Sequence, residues 1–201
     1  MRALGILAAA PIPGRVMPRL ADDVGPSAAA ELYARVGRGV IAAVAGSGYR
    51  TILWFTPPTE GAYVREWLDG LGRVELRPQA AAGPGARIHH AFTRHFGDGA
   101  RRVVVVTTDC PGIERRTVTQ AFAALAQHDV VLGPTTGGGC YLVGLRDPHP
   151  ELVHPIPWET AAALPQTRAH ARALALSVHL LAPLRGLETL QDARVLGLLK
   201  P

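Results

Sequence analysis

Residues 101–113 read RRVVVVTTDCPGI. Four valines and two threonines in succession suit a strand buried on both faces, as in the middle of a parallel sheet. Pro111 and Gly112 end the run. Asp109 then falls just past the carboxyl end of a central strand, the edge where open α/β sheets hold their ligands. A carboxylate there can hold a divalent cation or accept a hydrogen bond from a ligand hydroxyl. It can equally cap the helix that begins near Glu114, or only shape the turn.

The remaining chain alternates between the two periodicities. Residues 3–9 are apolar and lead into a proline-stiffened loop. Ser27 is a fitting N-cap for a helix over 28–45, which Gly46-Ser47-Gly48 ends. Strands are expected at 50–56 and 74–77, with a helix over 60–71 between them. A loop of Ala, Gly and Pro over 78–85 precedes a helix over 86–96. After the valine strand come a helix at 115–127, a strand at 130–132, a glycine turn at 133–139 and a strand at 140–145. Four prolines break the next stretch. Helix within 160–174, a strand at 177–181 and a helix at 189–198 complete the chain. Alternating strands and helices predict a three-layer α/β/α domain with a mainly parallel sheet. No repeat or long linker divides the chain, so residues 1–201 are expected to form one domain.

Composition narrows the function. Hydrophobic residues are 48% and charged residues 18%, as in a globular protein. Net charge is +5, and Lys200 is the only lysine, so arginine supplies the positive charge. Arginine's planar fork suits phosphate and carboxylate. The arginines are scattered and not interleaved with aromatics, so a nucleic-acid surface is not expected. Cys110 and Cys140 make neither a disulfide framework nor a zinc pattern and are expected to be small packing residues. No apolar run reaches membrane-spanning length and no leader pattern opens the chain, so a cytoplasmic location away from membranes is expected. The sequence does not indicate an oligomeric state.

Three further stretches carry chemistry. Residues 11–20, PIPGRVMPRL, follow the first strand. Gly14 lets backbone approach a phosphate, and Arg15 and Arg19 can neutralise its charge. No glycine-lysine-serine/threonine follows, so this is not a Walker loop, nor is it a G-x-G-x-x-G turn. Gln79, with Gly85 and Arg87, follows the third strand, where an amide can meet a base or sugar and a guanidinium a phosphate. Residues 133–141, GPTTGGGCY, offer glycines that permit close ligand approach. Trp158 is expected as a cleft wall or a core residue. His89, His90 and His95 match no metal-binding spacing and are expected at the surface.

The set has a recognisable order: P-x-P-G-R-V-x-x-R-L, a glutamine after the third strand, D-C-P, then D-V-V-L-G-P-x-x-x-G-G-x-Y-L-V-G-L and I-P-W-x-T. It resembles the bacterial family of small GT-A-type transferases that includes arsenosugar-biosynthesis glycosyltransferases and transferases associated with radical-SAM and selenium-related domains. It is more distantly similar to the nucleotidyltransferases that make molybdopterin dinucleotide and the deazaflavin cofactor. The resemblance implies a nucleotide-diphospho-sugar transferase fold, Rossmann-like and of the GT-A type. It implies that Pro13, Gly14, Arg15 and Arg19 bind phosphates, with Gln79, Gly85 and Arg87 on the nucleotide. Gly138, Gly139, Tyr141 and Trp158 are implied on the substrate side.

The chain departs from that pattern at several positions. The family carries lysine where Ala9 stands, and lysine-threonine where Met17-Pro18 stands. It has aspartate at Gly137 and tyrosine at Cys140, and aspartate-x-aspartate-threonine where this chain reads Gly186-Leu187-Glu188-Thr189. The resemblance then implies Asp109 and Glu188 as the catalytic carboxylates and as the ligands of a weakened magnesium or manganese site. The implied partners are a nucleotide or nucleotide-sugar and a small-molecule acceptor. The expected activity is glycosyl transfer from a nucleotide-activated sugar. Nucleotidyl transfer from a nucleoside triphosphate, a non-catalytic binding or scaffolding role, and an enzyme of changed chemistry with a new substrate and no metal are the alternatives.

Overall fold

A computed structural model describes residues 1–46, 48–72, 74–79, 83–153, 155–158 and 160–199. The valine run forms β4 (Arg102–Thr107), flanked by β1 (Arg2–Ala9) and β6 (Cys140–Leu145). β1 pairs in parallel with β2 (Arg50–Thr56), and β2 with β3 (Glu75–Pro78). Beyond β6 lie β5 (Val130–Pro134) and β7 (Val178–Leu180), giving the order β3-β2-β1-β4-β6-β5-β7. β6 runs antiparallel to both neighbours. Its link from β5 is far shorter than the dozen or so residues a parallel crossover needs. The 78–85 loop lies only partly within the described residues, as does the Gly46-Ser47-Gly48 turn.

The period-2 geometry of the strands divides the core. Leu4, Ile6, Leu53, Val104, Val106 and Leu142 face α2 (Pro26–Val44), α3 (Gly61–Trp67) and α5 (Arg115–Ala124). Ala3, Ile52, Trp54, Val103, Val105 and Val143 face α4 (Pro84–Gly97), α6 (Pro150–Val153) and α7 (Ala163–Ala173). This is the three-layer α/β/α arrangement. Val103 to Val106 are each at most 3% exposed, and burying a valine fully contributes roughly 1.5–3 kcal/mol. A third cluster joins α1 (Pro18–Val24), the outer face of α2 and α8 (Leu190–Val195) around Leu20, Leu32 and Leu187. Among the described residues no helix is long and apolar enough to cross a membrane.

Several boundaries move for identifiable reasons. Pro18 and Pro26 each open a helix at its first turn, where a missing N–H is one that the helix leaves unpaired anyway. Gly25 rather than Ser27 therefore precedes α2, and α1 occupies a stretch expected as loop. A 3₁₀ turn at Pro58–Glu60 replaces the start of the 60–71 helix, which ends at Trp67. Glu114, not Asp109, caps α5, in a capping box with Thr117.

His95 corrects the expectation of surface histidines. It is 1% exposed, and its Nε2 accepts the Trp54 indole N–H at 3.2 Å. Ile88, Ala91, Phe92 and His95 form the buried face of α4 at the spacing i, i+3, i+4, i+7, which is the signal that marks His95 as interior. Burial, with smaller contributions from Arg50 and Arg77, pushes its pKa down to about 4.

Candidate functional site

The sheet register gathers one set of loops. Ala9 lies beside Thr56, Phe55 beside Pro78 and Leu7 beside Thr107. The carboxyl ends of β1 to β4 therefore share one rim. Antiparallel β6 starts there, with Cys140 opposite Pro134 at the end of β5. The chain leaves β1 for β2 on one side, while β4 lies on the other. That is a topological switch point, where a crevice opens between diverging connections.

A buried tyrosine fastens the switch point. The Ala9 N–H donates to Tyr33 Oη at 2.9 Å, and Tyr33 Oη lies 2.8 Å from Thr108 Oγ1. Thr108 Oγ1 donates onward to the Leu7 carbonyl at 3.3 Å. One hydroxyl from α2 thus ties the last residues of β1 to those of β4. Burial pushes the Tyr33 pKa up to about 12, so it stays a neutral donor.

Asp109 follows directly. It is half-buried, and its Oδ1 accepts from Thr107 Oγ1 at 2.5 Å. Burial raises its pKa, opposed by the Thr107 hydroxyl and by its own backbone N–H. Residues 184–188 fold over this turn. The Leu187 N–H donates to the Asp109 carbonyl at 2.8 Å, and Cys110 Sγ donates to the Arg185 carbonyl at 3.2 Å. The fully buried Leu187 anchors the segment, so Glu188 emerges beside the Asp109 turn. Its carboxylate pairs with Arg19 at 3.0 Å, and both side chains are more than half exposed.

The first loop is the outer lip of the crevice. Pro13, Gly14 and Arg15 are exposed, and Gly14 has the positive φ of 78° that the turn requires. Gln79 is 5% exposed. Its Nε2 donates to the Trp54 carbonyl at 2.6 Å and the Ala8 carbonyl at 3.2 Å, so the amide nitrogen holds β1 against β2. Gly85 lies in the first turn of α4, where a Cβ would stand 3.2 Å from the Trp158 ring. Trp158 is half-buried and donates to the Val153 carbonyl at 2.9 Å. It packs, partly buried, against the second core cluster. Arg87 is half-buried in the same turn of helix.

The glycine turn is closely packed on one side. Gly138, at φ 89°, lies so near Ala161 that a Cβ would fall 2.9 Å from it, and the Gly139 N–H donates to Thr135 Oγ1 at 3.0 Å. Tyr141 is 2% exposed and donates to the Ala182 carbonyl at 3.0 Å, so its side chain belongs to the core behind the rim. Burial pushes the Cys110 and Cys140 thiols up to about 12, which leaves them protonated and unsuited to nucleophilic attack.

Arg185 and Asp192 are rim residues that sequence reasoning missed. Arg185 donates to Asp192 Oδ1 at 2.8 Å, while Oδ2 accepts from the backbone N–H and hydroxyl of Thr189. Burial opposes ionisation of Asp192, but the hydrogen bonds from Arg185 and Thr189 win and lower its pKa. The signal was present as Thr189-x-x-Asp192, a capping box before an apolar stretch.

A magnesium or manganese ion fits this donor set in part. Asp109 is a desolvated carboxylate with a hydroxyl and a backbone N–H as neighbours, which a cation would stabilise. Glu188 is a second carboxylate whose exposed ion pair is weak enough to exchange. Among the described residues no three His, Cys, Asp or Glu side chains cluster as a metal centre. Two carboxylates suffice for magnesium when substrate phosphates complete its shell.

Comparison with known proteins gives the fold its context. A protein of Desulfovibrio desulfuricans described as a "putative nucleotide-diphospho-sugar transferase" superposes with a TM-score of 0.89 at 28% identity, over 97% of this chain and 85% of its own. CMP:2-keto-3-deoxy-manno-octonic acid synthetase complexed with CTP matches with a TM-score of 0.57 at 13% identity, over 98% of each chain. Rv0371C of Mycobacterium tuberculosis, in complex with manganese, matches with a TM-score of 0.59 at 14% identity, again over 98% of each. The two more distant likenesses show the fold alone. The chain has the nucleotide-diphospho-sugar transferase-like fold that the sequence implied. No curated protein matches it in sequence. Residues 40–160 match the family described as an uncharacterized protein conserved in bacteria, DUF2064, and the chain belongs to that family.

Proposed function

We propose that the chain is a transferase that moves a glycosyl group from a nucleotide-activated sugar to a small-molecule acceptor. The observation that carries this reading is Asp109, a half-buried carboxylate just past the carboxyl end of β4, on the rim where the β1 loop exposes Gly14 and Arg15 and where Arg19 at the start of α1 pairs with Glu188. The 28% identity to the Desulfovibrio protein over nearly the whole chain supports it.

In this reading Arg15 and Arg19 bind the diphosphate, with Pro13 and Gly14 shaping the lip. Gly85 and Arg87 at the start of α4 and the Gln79 backbone border the nucleotide. Gly138, Gly139 and Trp158 border the sugar side, with Tyr141 packed behind them. Asp109 and Glu188 would hold magnesium or manganese, which supplies charge neutralisation for the leaving diphosphate. Arg19 leaves Glu188 for phosphate at little cost, because an exposed ion pair contributes about 0–1 kcal/mol. The bond from the anomeric carbon to the diphosphate oxygen breaks, and a bond from that carbon to the acceptor oxygen forms. The acceptor's proton passes to solvent.

Nucleotidyl transfer is the second reading, since the same fold occurs in a synthetase complexed with CTP. A thermal-shift screen of nucleoside di- and triphosphates and nucleotide-sugars, with and without Mg²⁺ or Mn²⁺, tests both. A ligand at a hundred times its Kd adds about 2.7 kcal/mol of stability, or roughly 5–10 °C in a chain of this size. A metal-dependent shift with one nucleotide-sugar, absent in Asp109→Asn, followed by turnover, is the expected result. A triphosphate response alone favours nucleotidyl transfer. No response to any of them refutes both and leaves a non-catalytic binding protein or a ligand outside the nucleotide class.

A further inference from the structure

Resting on the transferase reading, we propose that the hollow between the glycine turn and residues 185–188 is a subsite for a neutral polyhydroxylated group. The hollow has a volume of about 140 Å³. With about 30 Å³ per liquid water, it holds roughly five waters, the space of a small polyol.

Its base is rigid. Leu184 donates to the Pro134 carbonyl at 3.0 Å, and Thr136 donates to the Leu184 carbonyl at 2.9 Å. The two backbones thus run side by side like strands of the sheet. Beyond this pairing they present glycine to glycine. A Cβ built on Gly186 meets no atom within 4 Å, and one built on Gly137 meets only Thr135 Oγ1, at 3.9 Å. Both glycines line the hollow, both have room for a side chain, and neither has a positive φ that requires glycine. These are two of the positions where the resemblance led to an expectation of aspartate.

The lining selects the ligand class. Arg185 and Glu188 supply a cation and an anion, Asp192 a second anion, and Thr135 and Thr136 hydroxyls. Arg185 is paired with Asp192 at 2.8 Å, so those charges cancel, and Glu188 is balanced by Arg19 at 3.0 Å or, once Arg19 turns to phosphate, by the metal that Glu188 would hold. An anionic ligand would meet two carboxylates. An apolar one would cover polar groups without replacing their water. A hydroxyl both donates and accepts, and so suits a wall that alternates the two. The polyhydroxylated group is either the sugar of the donor or the acceptor.

The test uses Gly186→Leu, which fills the hollow from an unstrained backbone, with Gly137→Leu as a second route to the same end. UDP-, ADP-, GDP- and CDP-glucose are titrated against their parent diphosphates with Mn²⁺. Free glucose and mannitol are titrated while the amide resonances of Thr136, Gly137, Gly186 and Glu188 are followed by NMR. If the donor sugar occupies the subsite, one glucose ester binds about tenfold tighter than its diphosphate. That increment disappears in Gly186→Leu while diphosphate affinity is kept. If the acceptor occupies it, free polyol shifts those resonances in the wild type and not in the variant. Polyol binding with no response to any nucleotide supports the subsite and refutes the transferase reading. The proposal is overturned if neither attached glucose nor free polyol is recognised, or if both filled variants bind them as the wild type does. Diphosphate binding in that case leaves the transferase reading standing.

Discussion

Replacing Tyr33 with phenylalanine removes one oxygen atom from the point where β1 and β4 diverge. The phenyl ring keeps its place in the core and its stacking on Trp67, at 6.3 Å between centroids. Two hydrogen bonds go: one from the Ala9 N–H at 2.9 Å, one shared with Thr108 at 2.8 Å. The Ala9 N–H is left without its partner in a part-buried position. An unsatisfied buried donor costs about 1–3 kcal/mol, and the lost bond to Thr108 about 1 kcal/mol more. Thr108 keeps its contact with the Leu7 carbonyl, which limits the loss on that side. The expected destabilisation is about 2–4 kcal/mol, or a Tm lower by roughly 5–15 °C. Urea unfolding followed by circular dichroism measures it, with the slope m unchanged. Because the Tyr33 pKa stands near 12, the loss is the same at pH 6 and pH 9. A cycle with Thr108→Val should show coupling of at least about 0.5 kcal/mol, since the two hydroxyls touch. A change below about 0.5 kcal/mol in Tyr33→Phe, or strict additivity in the cycle, refutes the clasp.

Three further outcomes are expected. The folded pKa of His95 is about 4, below its unfolded value near 6.5. The unfolded chain therefore binds the proton first, and stability falls as pH drops from 6.5 towards 4, by about 3 kcal/mol from this residue. His95→Gln keeps an acceptor for Trp54 but does not titrate, so its stability–pH curve should be flatter over that window; parallel curves refute the assignment. Burial raises the folded pKa of Asp109, so its ionised form costs stability at any pH above that value. Asp109→Asn should raise Tm at pH 7 and abolish any stabilisation by Mn²⁺; a lower Tm would show that the carboxylate is compensated. Gly133→Ala would place a Cβ 2.5 Å from the Tyr141 ring and 2.9 Å from Leu142 Cβ. Overpacking of this kind costs about 1–3 kcal/mol, read as a lower urea midpoint.

Much of the fold was legible because burial on a regular element leaves a period in the sequence. The valine run could only be a central strand, and its end located Asp109 at the rim. Asp109 as a rim residue follows from local chemistry, whereas the cap of α5 falls on Glu114 and not on Asp109. Prolines 18 and 26 were legible in principle as helix openers. Pro18 falls in a stretch that reads as loop, since proline also marks turns and the surrounding residues do not separate the two uses.

The site depended on pairings that have no local signature. Tyr33 meets Thr108 across 75 residues, Cys110 meets Arg185 across 75, and Arg19 meets Glu188 across 169. Nothing local in the sequence tells that the Gln79 amide nitrogen bonds two strand carbonyls, of Ala8 and Trp54. Sequence proximity would put β5 next to β4, yet β6 pairs with both of them. The sequence by itself determined the layers, the central strand and the edge at which a ligand belongs, because periodicity and turn residues act over a few neighbours. Only the tertiary structure decided which side chains face the crevice, which lock the strands behind it, and where two glycines leave a hollow. Those outcomes depend on contacts between distant segments, and such contacts exist only once the sheet has assembled.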